Sequence, residues 1–185
     1  VALSGTTAGN YTVSQPTGVT GNITERLVTV SATAGQTKVY GASDPAIYAY
    51  TLTSGTLASG DAFTGALSRD PGSSVATYAI TQGDLALDSN YTITFVPANF
   101  TITQAPLTIT AEDKTKVYGA ADPALTVSYS GLVNGDTAPA TPATANRVAG
   151  ETFAGSPYVI TASGAVDGNY SISSAPGSFT ITKAP

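Results

Sequence analysis

The sequence predicts a mainly β protein made of tandem small domains, and three observations carry that prediction. Apolar residues alternate with Thr or Ser at period two in "LTITA", "YTITF" and "FTIT", the spacing of a strand with one buried face. Clusters of Gly, Pro, Asp, Asn and Ser separate these runs, as turns require. A ten-residue string, "TKVYGASDPA" at 37–46, returns 78 positions later as "TKVYGAADPA" at 115–124, with only Ser43 changed to Ala121. A period of about 79 residues divides the 185-residue chain into units close to the size at which a single core barely suffices.

Taken in order, "GNYTVSQ" (Gly9 to Gln15) and "GNITER" (Gly21 to Arg26) read as two strands, so that residues 1–26 look like the C-terminal part of a preceding repeat. The first complete unit is assigned to 27–105 and the second to 106–185. About six strands are expected in each, near residues 31, 51, 66, 79, 93 and 102 in the first. Turns fall at "SGD" (59–61), "RDPGSS" (69–74), "LDSN" (87–90) and "VDGN" (166–169). The second unit repeats the landmarks: "PLTITA" answers "LVTVSA", "GNYSISS" answers "SNYTITF", and "FTITKAP" answers "FTITQAP". It departs between Asn134 and Pro157, where prolines at 139, 142 and 157 break the alternation seen in "AFTGALS" and predict a longer, less regular edge or loop.

The junction "FTITQAPLTIT" (Phe100 to Thr110) fixes how the units meet. Only Gln104, Ala105 and Pro106 separate two strands, and Pro keeps its neighbour extended. The chain therefore runs nearly straight from one unit into the next. Each unit must take the chain in at one end and release it at the other, so its first and last strands run in the same direction and, if paired, pair parallel. Two units end to end make a rod. Either a sandwich or a β-grasp-like mixed sheet satisfies these constraints.

In the repeated decapeptide, Gly41 and Gly119 end an extended run and permit a turn that other residues resist. Asp44-Pro45 and Asp122-Pro123 have the order of a helix N-cap and first helical residue, predicting one short helical turn. Tyr40 and Tyr118 are expected to lay their rings over a core edge, each hydroxyl reaching a backbone group. Every member of the motif thus has a structural reading.

Composition narrows the function classes. Twelve acidic and seven basic residues give a net charge of -5 with no basic cluster, which excludes a cationic footprint for nucleic acid. There is no Cys, His, Met or Trp. Without Cys no disulfide staples the fold. The lack of an initiator Met, a secretory apolar segment and an apolar run near 18 residues suggests an excised fragment with no membrane span.

The ordered set "KVYGASDPA"/"KVYGAADPA", "SGTLASGD"/"SGLVNGD", the Asn-Tyr strands and the "FTIT" strands resembles the YGX-type MBG repeat of large bacterial surface proteins, over essentially the whole chain. The resemblance implies a secreted or surface location and a structural role in a filamentous-haemagglutinin-like adhesin. It implies no catalytic residue.

The residues themselves weigh against sharper chemistry. Lack of His and Cys removes the usual activated nucleophiles, and the recurring carboxylates Asp44/Asp122, Asp61/Asp136 and Asp88/Asp167 sit in turn contexts rather than as a facing catalytic pair. "GDLALDSN" and "VDGN" offer oxygen ligands for calcium, yet no dedicated loop motif surrounds them. Lys38 and Lys116 are the candidates for an internal Lys–Asn crosslink, but no partner recurs with them, and pairing with a nearby Asp is the simpler reading. Ten Tyr and five Phe supply stacking surface for a glycan or surface ligand, although most fall at core-facing strand positions. The expectation is a monomeric spacer with no cofactor, no metal and no catalytic activity, its partners being neighbouring repeats of the same chain; a carbohydrate- or receptor-binding module is the alternative.

Overall fold

The computed structural model of the chain describes residues 4–14 and 16–185. From Arg26 onward it consists of two copies of one seven-stranded unit. The first contains β1 (Arg26–Ala32), β2 (Gln36–Val39), β3 (Tyr50–Ser54), β4 (Ser68–Arg69), β5 (Ala76–Thr81), β6 (Tyr91–Val96) and β7 (Ala98–Thr103). The second contains β8 (Ala105–Ala111), β9 (Lys114–Val117), β10 (Val127–Ser130), β11 (Thr144–Arg147), β12 (Tyr158–Ser163), β13 (Tyr170–Ala175) and β14 (Gly177–Thr182). No α-helix occurs among the described residues.

Each unit is a sandwich of a three-stranded and a four-stranded sheet. The orders are β3-β1-β6 with β2-β7-β5-β4, and β10-β8-β13 with β11-β12-β14-β9. Alternation places one residue in two inside. Ala105, Leu107, Ile109 and Ala111 of β8 are buried while Pro106 and Thr108 are exposed, and Phe179 and Ile181 of β14 join them from the second sheet. In the first unit Val28, Val30, Ile80, Phe100 and Ile102 play the same part. Removing such side chains from water stabilises the fold by about 1.5–3 kcal/mol each.

The connectivity is the feature that matters for function. The first run of each unit, β1 then β2, steps from one sheet to the other, and the last run, β6 then β7, does the same across Pro97. β1 pairs β6 in parallel, Arg26 opposite Tyr91, and β2 pairs β7 in parallel, Gln36 opposite Phe100. The second unit repeats this with β8 beside β13 and β9 beside β14. The first and last runs therefore go in the same direction, as the short junction requires, although β1 and β7 lie in different sheets and do not pair with each other, and the chain traverses each unit from a leading end to a trailing end. At about 3.3 Å per residue, the run from Ala105 to Tyr118 spans at most about 43 Å.

Two expectations need correction. Each unit has seven strands rather than about six, because β2 and β9 escape a periodicity search: β2 turns Lys38 inward and leaves Val39 exposed, the reverse of an apolar alternation. The strands expected at Gly9 to Gln15 and Gly21 to Arg26 are not formed. Among the described residues there, a 3-10 turn at Ala8–Asn10 precedes exposed chain up to Glu25, and only Arg26 joins a ladder; Gln15 lies outside the described residues. A strand needs a partner for its backbone groups, and β1 already takes β3 and β6 as neighbours. The longer, less regular edge or loop expected between Asn134 and Pro157 is present: the edge strand β11 has four residues against two in its counterpart β4, and a longer loop leads from it to the next strand.

Candidate functional site

The repeated motif sits at the trailing end of each unit. The Tyr40 amide extends the β2–β7 ladder by donating to the Thr103 carbonyl at 2.8 Å, and the chain then turns, the Ala42 amide donating to the Val39 carbonyl at 3.0 Å. Gly41 makes this turn with φ +80°, a conformation that side chains resist. The turn leaves Tyr40 pointing out of its own unit and into the next.

There it meets a prepared surface. Tyr40 is 6% exposed; its ring stands edge-on to Tyr170 with centroids 5.4 Å apart. Its hydroxyl donates to Asp136 Oδ2 at 3.1 Å and accepts from Asn134 Nδ2 at 3.1 Å. Tyr170 donates to the same Asp136 oxygen at 2.7 Å and accepts from the Val133 amide at 3.0 Å. The Asn134-Gly135 pair, both at positive φ, forms the tight turn that presents Asp136. Around this centre the Val75 amide donates to Asn169 Oδ1 at 2.9 Å and Gln104 Nε2 to the Gly168 carbonyl at 3.1 Å. A Cβ on Gly41 would fall 2.4 Å from Val133 Cγ2. The trailing end of the first unit is thus packed against the leading end of the second, while no strand of one pairs with a strand of the other. Burial, opposed by the amide of Val133 and reinforced by Asp136, pushes the Tyr170 phenol up to about 12.

The expectation that the Tyr40 hydroxyl reaches a backbone group is corrected: its partners are side chains of the other unit. Tyr118 is corrected in the other direction. It makes the same turn, the Tyr118 amide bonding to Thr182 and Gly119 at φ +84°, yet it is 55% exposed. It borders an open cleft of about 390 Å3 with Phe153, Lys183 and Ala184.

Asp44 and Asp122 cap no helix, and Pro45 and Pro123 start none; the chain after them is bent and extended up to β3 and β10. A carboxylate with cations in reach gains more from them than from amide groups. Asp44 takes Lys38 Nζ at 2.6 Å, Arg69 Nε at 2.8 Å, Arg69 Nη2 at 3.1 Å and the Tyr48 hydroxyl at 2.8 Å. Arg69, foremost, with Lys38 and Tyr48, holds its carboxyl well below the usual range against the opposing effect of burial. The Arg69 guanidinium also lies over the Tyr78 and Phe100 rings, 4.9 and 5.4 Å from their centroids. In the second unit Asp122 takes Lys116 Nζ at 2.6 Å and Arg147 Nε at 2.7 Å, with Glu151 contacting both cations and Arg147 lying 4.5 Å from the Phe179 centroid. Lys38 and Lys116 therefore pair with the nearby Asp, the simpler of the two readings. These clusters lock the motif loop onto the core Phe.

The arginines were not singled out from sequence, although Arg69 and Arg147 recur at the same 78-residue spacing as the decapeptide. Asp88 and Asp167 keep their turn role, each accepting the amide of the Asn two residues on at 2.8 Å. Among the described residues no three acidic groups converge on a metal-sized space, and no helix is long and apolar enough to cross a membrane.

A family model described as "MBG domain (YGX type)" matches residues 28–101 and again residues 107–180. No curated protein and no solved structure matches the chain.

Proposed function

The chain belongs to the YGX-type MBG domain family through both of its units, and from that premise we propose that it is a stalk or spacer segment of a bacterial cell-surface adhesin, secreted or surface-held, that extends a distal binding region from the cell. Tandem domains of this kind are associated with extracellular adhesin-like proteins. On this reading the chain performs no catalysis, binds no nucleic acid and is monomeric, and the partners of each unit are its neighbouring repeats.

One observation carries the proposal: the buried joint of Tyr40 with Asp136 and Tyr170. It fastens the trailing end of one unit to the leading end of the next. A two-unit binding module would gain most from a shared cleft, whereas a spacer gains from a stiff in-line joint, and the hydroxyls and rings here are consumed by the joint itself. Small-angle scattering tests it. Two units of about 40 Å in line give a maximum dimension on the order of 80 Å; a compact, near-spherical envelope would overturn the spacer reading. A glycan array separates it from the carbohydrate-binding alternative, which requires saturable binding by this chain.

A further inference from the structure

The molecule contains one assembled joint and both halves of another. At the leading end of the first unit, Tyr91 donates to Asp61 Oδ2 at 2.6 Å and accepts from the Ala58 amide at 2.7 Å. That reproduces within a few tenths of an ångström the Tyr170, Asp136 and Val133 arrangement that receives Tyr40. At the trailing end of the second unit, Tyr118 and Gly119 reproduce Tyr40 and Gly41 in turn geometry, with φ +84° against +80° and the same ladder bond to the last strand. What differs is cover. Tyr40 is 6% exposed and Tyr118 is 55%; a Cβ on Gly41 meets Val133, and one on Gly119 meets nothing within 4 Å. Beside Tyr118, Phe153 is 48% exposed with Lys183 Nζ 5.1 Å from its ring centroid.

We propose that the Tyr118–Gly119 face is the docking surface for the leading end of a further unit of this same fold, joined in line, whose Asp–Tyr pair receives the Tyr118 hydroxyl as Asp136 and Tyr170 receive that of Tyr40. The proposal rests on the spacer reading and names its partner by chemistry: a carboxylate already accepting one tyrosine hydroxyl, presented by a tight turn. The surface is continuous in kind with a joint present in the molecule. The two faces are different and complementary, so docking is head to tail; a heterologous contact of this type does not close on itself and extends for as long as units are supplied. Lys183 stands where the first junction has Gln104, and it meets the Asp-bearing leading end with a charge that Gln104 lacks.

The test extends the full chain by a second copy of residues 107–185 placed directly after Pro185, which rebuilds the junction as "FTITKAPLTIT". Tyrosine nitration read peptide by peptide reports cover. In the parent chain Tyr40 is protected and Tyr118 reactive. In the extended chain Tyr118 is expected to lose reactivity by about tenfold, in line with the exposure difference between the two tyrosines. Asp→Ala at the added copy's equivalent of Asp136 restores the reactivity. A gain in far-ultraviolet dichroism in proportion to the added strands establishes that the added unit is folded. Undiminished reactivity of Tyr118 beside a folded third unit overturns the proposal. Scattering from the parent distinguishes the failures: an extended parent with a reactive Tyr118 in the longer chain sinks the docking alone, and a compact parent sinks the spacer reading beneath it.

Discussion

Replacing Asp44 with Asn keeps the side-chain volume and removes the charge that two cations share. Arg69 and Lys38, with side chains 9% and 12% exposed, are then left with a neutral amide whose NH2 group has no acceptor among them. Breaking a fully buried ion pair costs about 3–5 kcal/mol, and an exposed pair is worth about 0.2–1 kcal/mol. The Asp44 side chain is 37% exposed, so solvent screens part of the interaction and the expected loss is about 2 kcal/mol. For a domain of this size that lowers Tm by about 8–16 °C. The acid dependence has a definite sign. The folded carboxyl lies below its ordinary value of 3.8, so its contribution is complete above that value and is lost as pH falls through the lower folded value. Calorimetry of both chains should therefore show a wide gap at pH 7 that is much smaller at pH 2, with the second unit as an internal reference. A shift under about 2 °C at pH 7, or a gap that persists unchanged in strong acid, would refute the ion cluster as the motif's anchor.

Two further outcomes separate the roles of the motif residues. Gly41→Ala and Gly119→Ala share the left-handed backbone penalty of about 1–2 kcal/mol, but only the first also drives a Cβ into Val133, adding about 1–3 kcal/mol; equal losses by denaturant titration would mean that the joint does not close on Gly41. At alkaline pH, Tyr170 remains protonated in the folded chain up to about 12 while an unfolded tyrosine ionises near 10.0. Stability should fall as pH rises through that interval and a Tyr170→Phe variant should show a smaller fall, Tyr48 and Tyr91 being raised as well; identical alkaline profiles by tyrosine absorbance and circular dichroism would contradict the burial of the hydroxyl.

The period-two alternation of β1, β8, β7 and β14 was legible because those strands bury one face completely, so Val28 and Val30, or Leu107 and Ile109, declare the inside. β2 and β9 read as an extended run but not as a strand of the sandwich, since their inward residues Lys38 and Lys116 are held by Asp rather than by apolar contact. The same fact explains the misread of Asp44-Pro45. A local pattern names a cap, and a distant Arg69, 25 residues on, overrides it. The partners of Tyr40 are not legible locally, because Asn134 and Asp136 lie 94 and 96 residues away. Nothing in the decapeptide distinguishes the Tyr that is covered from the Tyr that is not, because the cover comes from a different unit.

The parallel ladders that carry the chain through each unit also determine how it meets tension. Pulling on the two ends of a unit draws β1 and β2 one way and β6 and β7 the other, along their own axes. The hydrogen bonds of β1 with β6 and of β2 with β7 lie across that direction, so the six residue pairs of one ladder and the four of the other are loaded in shear together. An antiparallel hairpin with both ends at one edge would instead unzip bond by bond at low force. A pulled unit therefore holds its length until the whole ladder slips, then yields abruptly, and a row of such units extends in discrete steps.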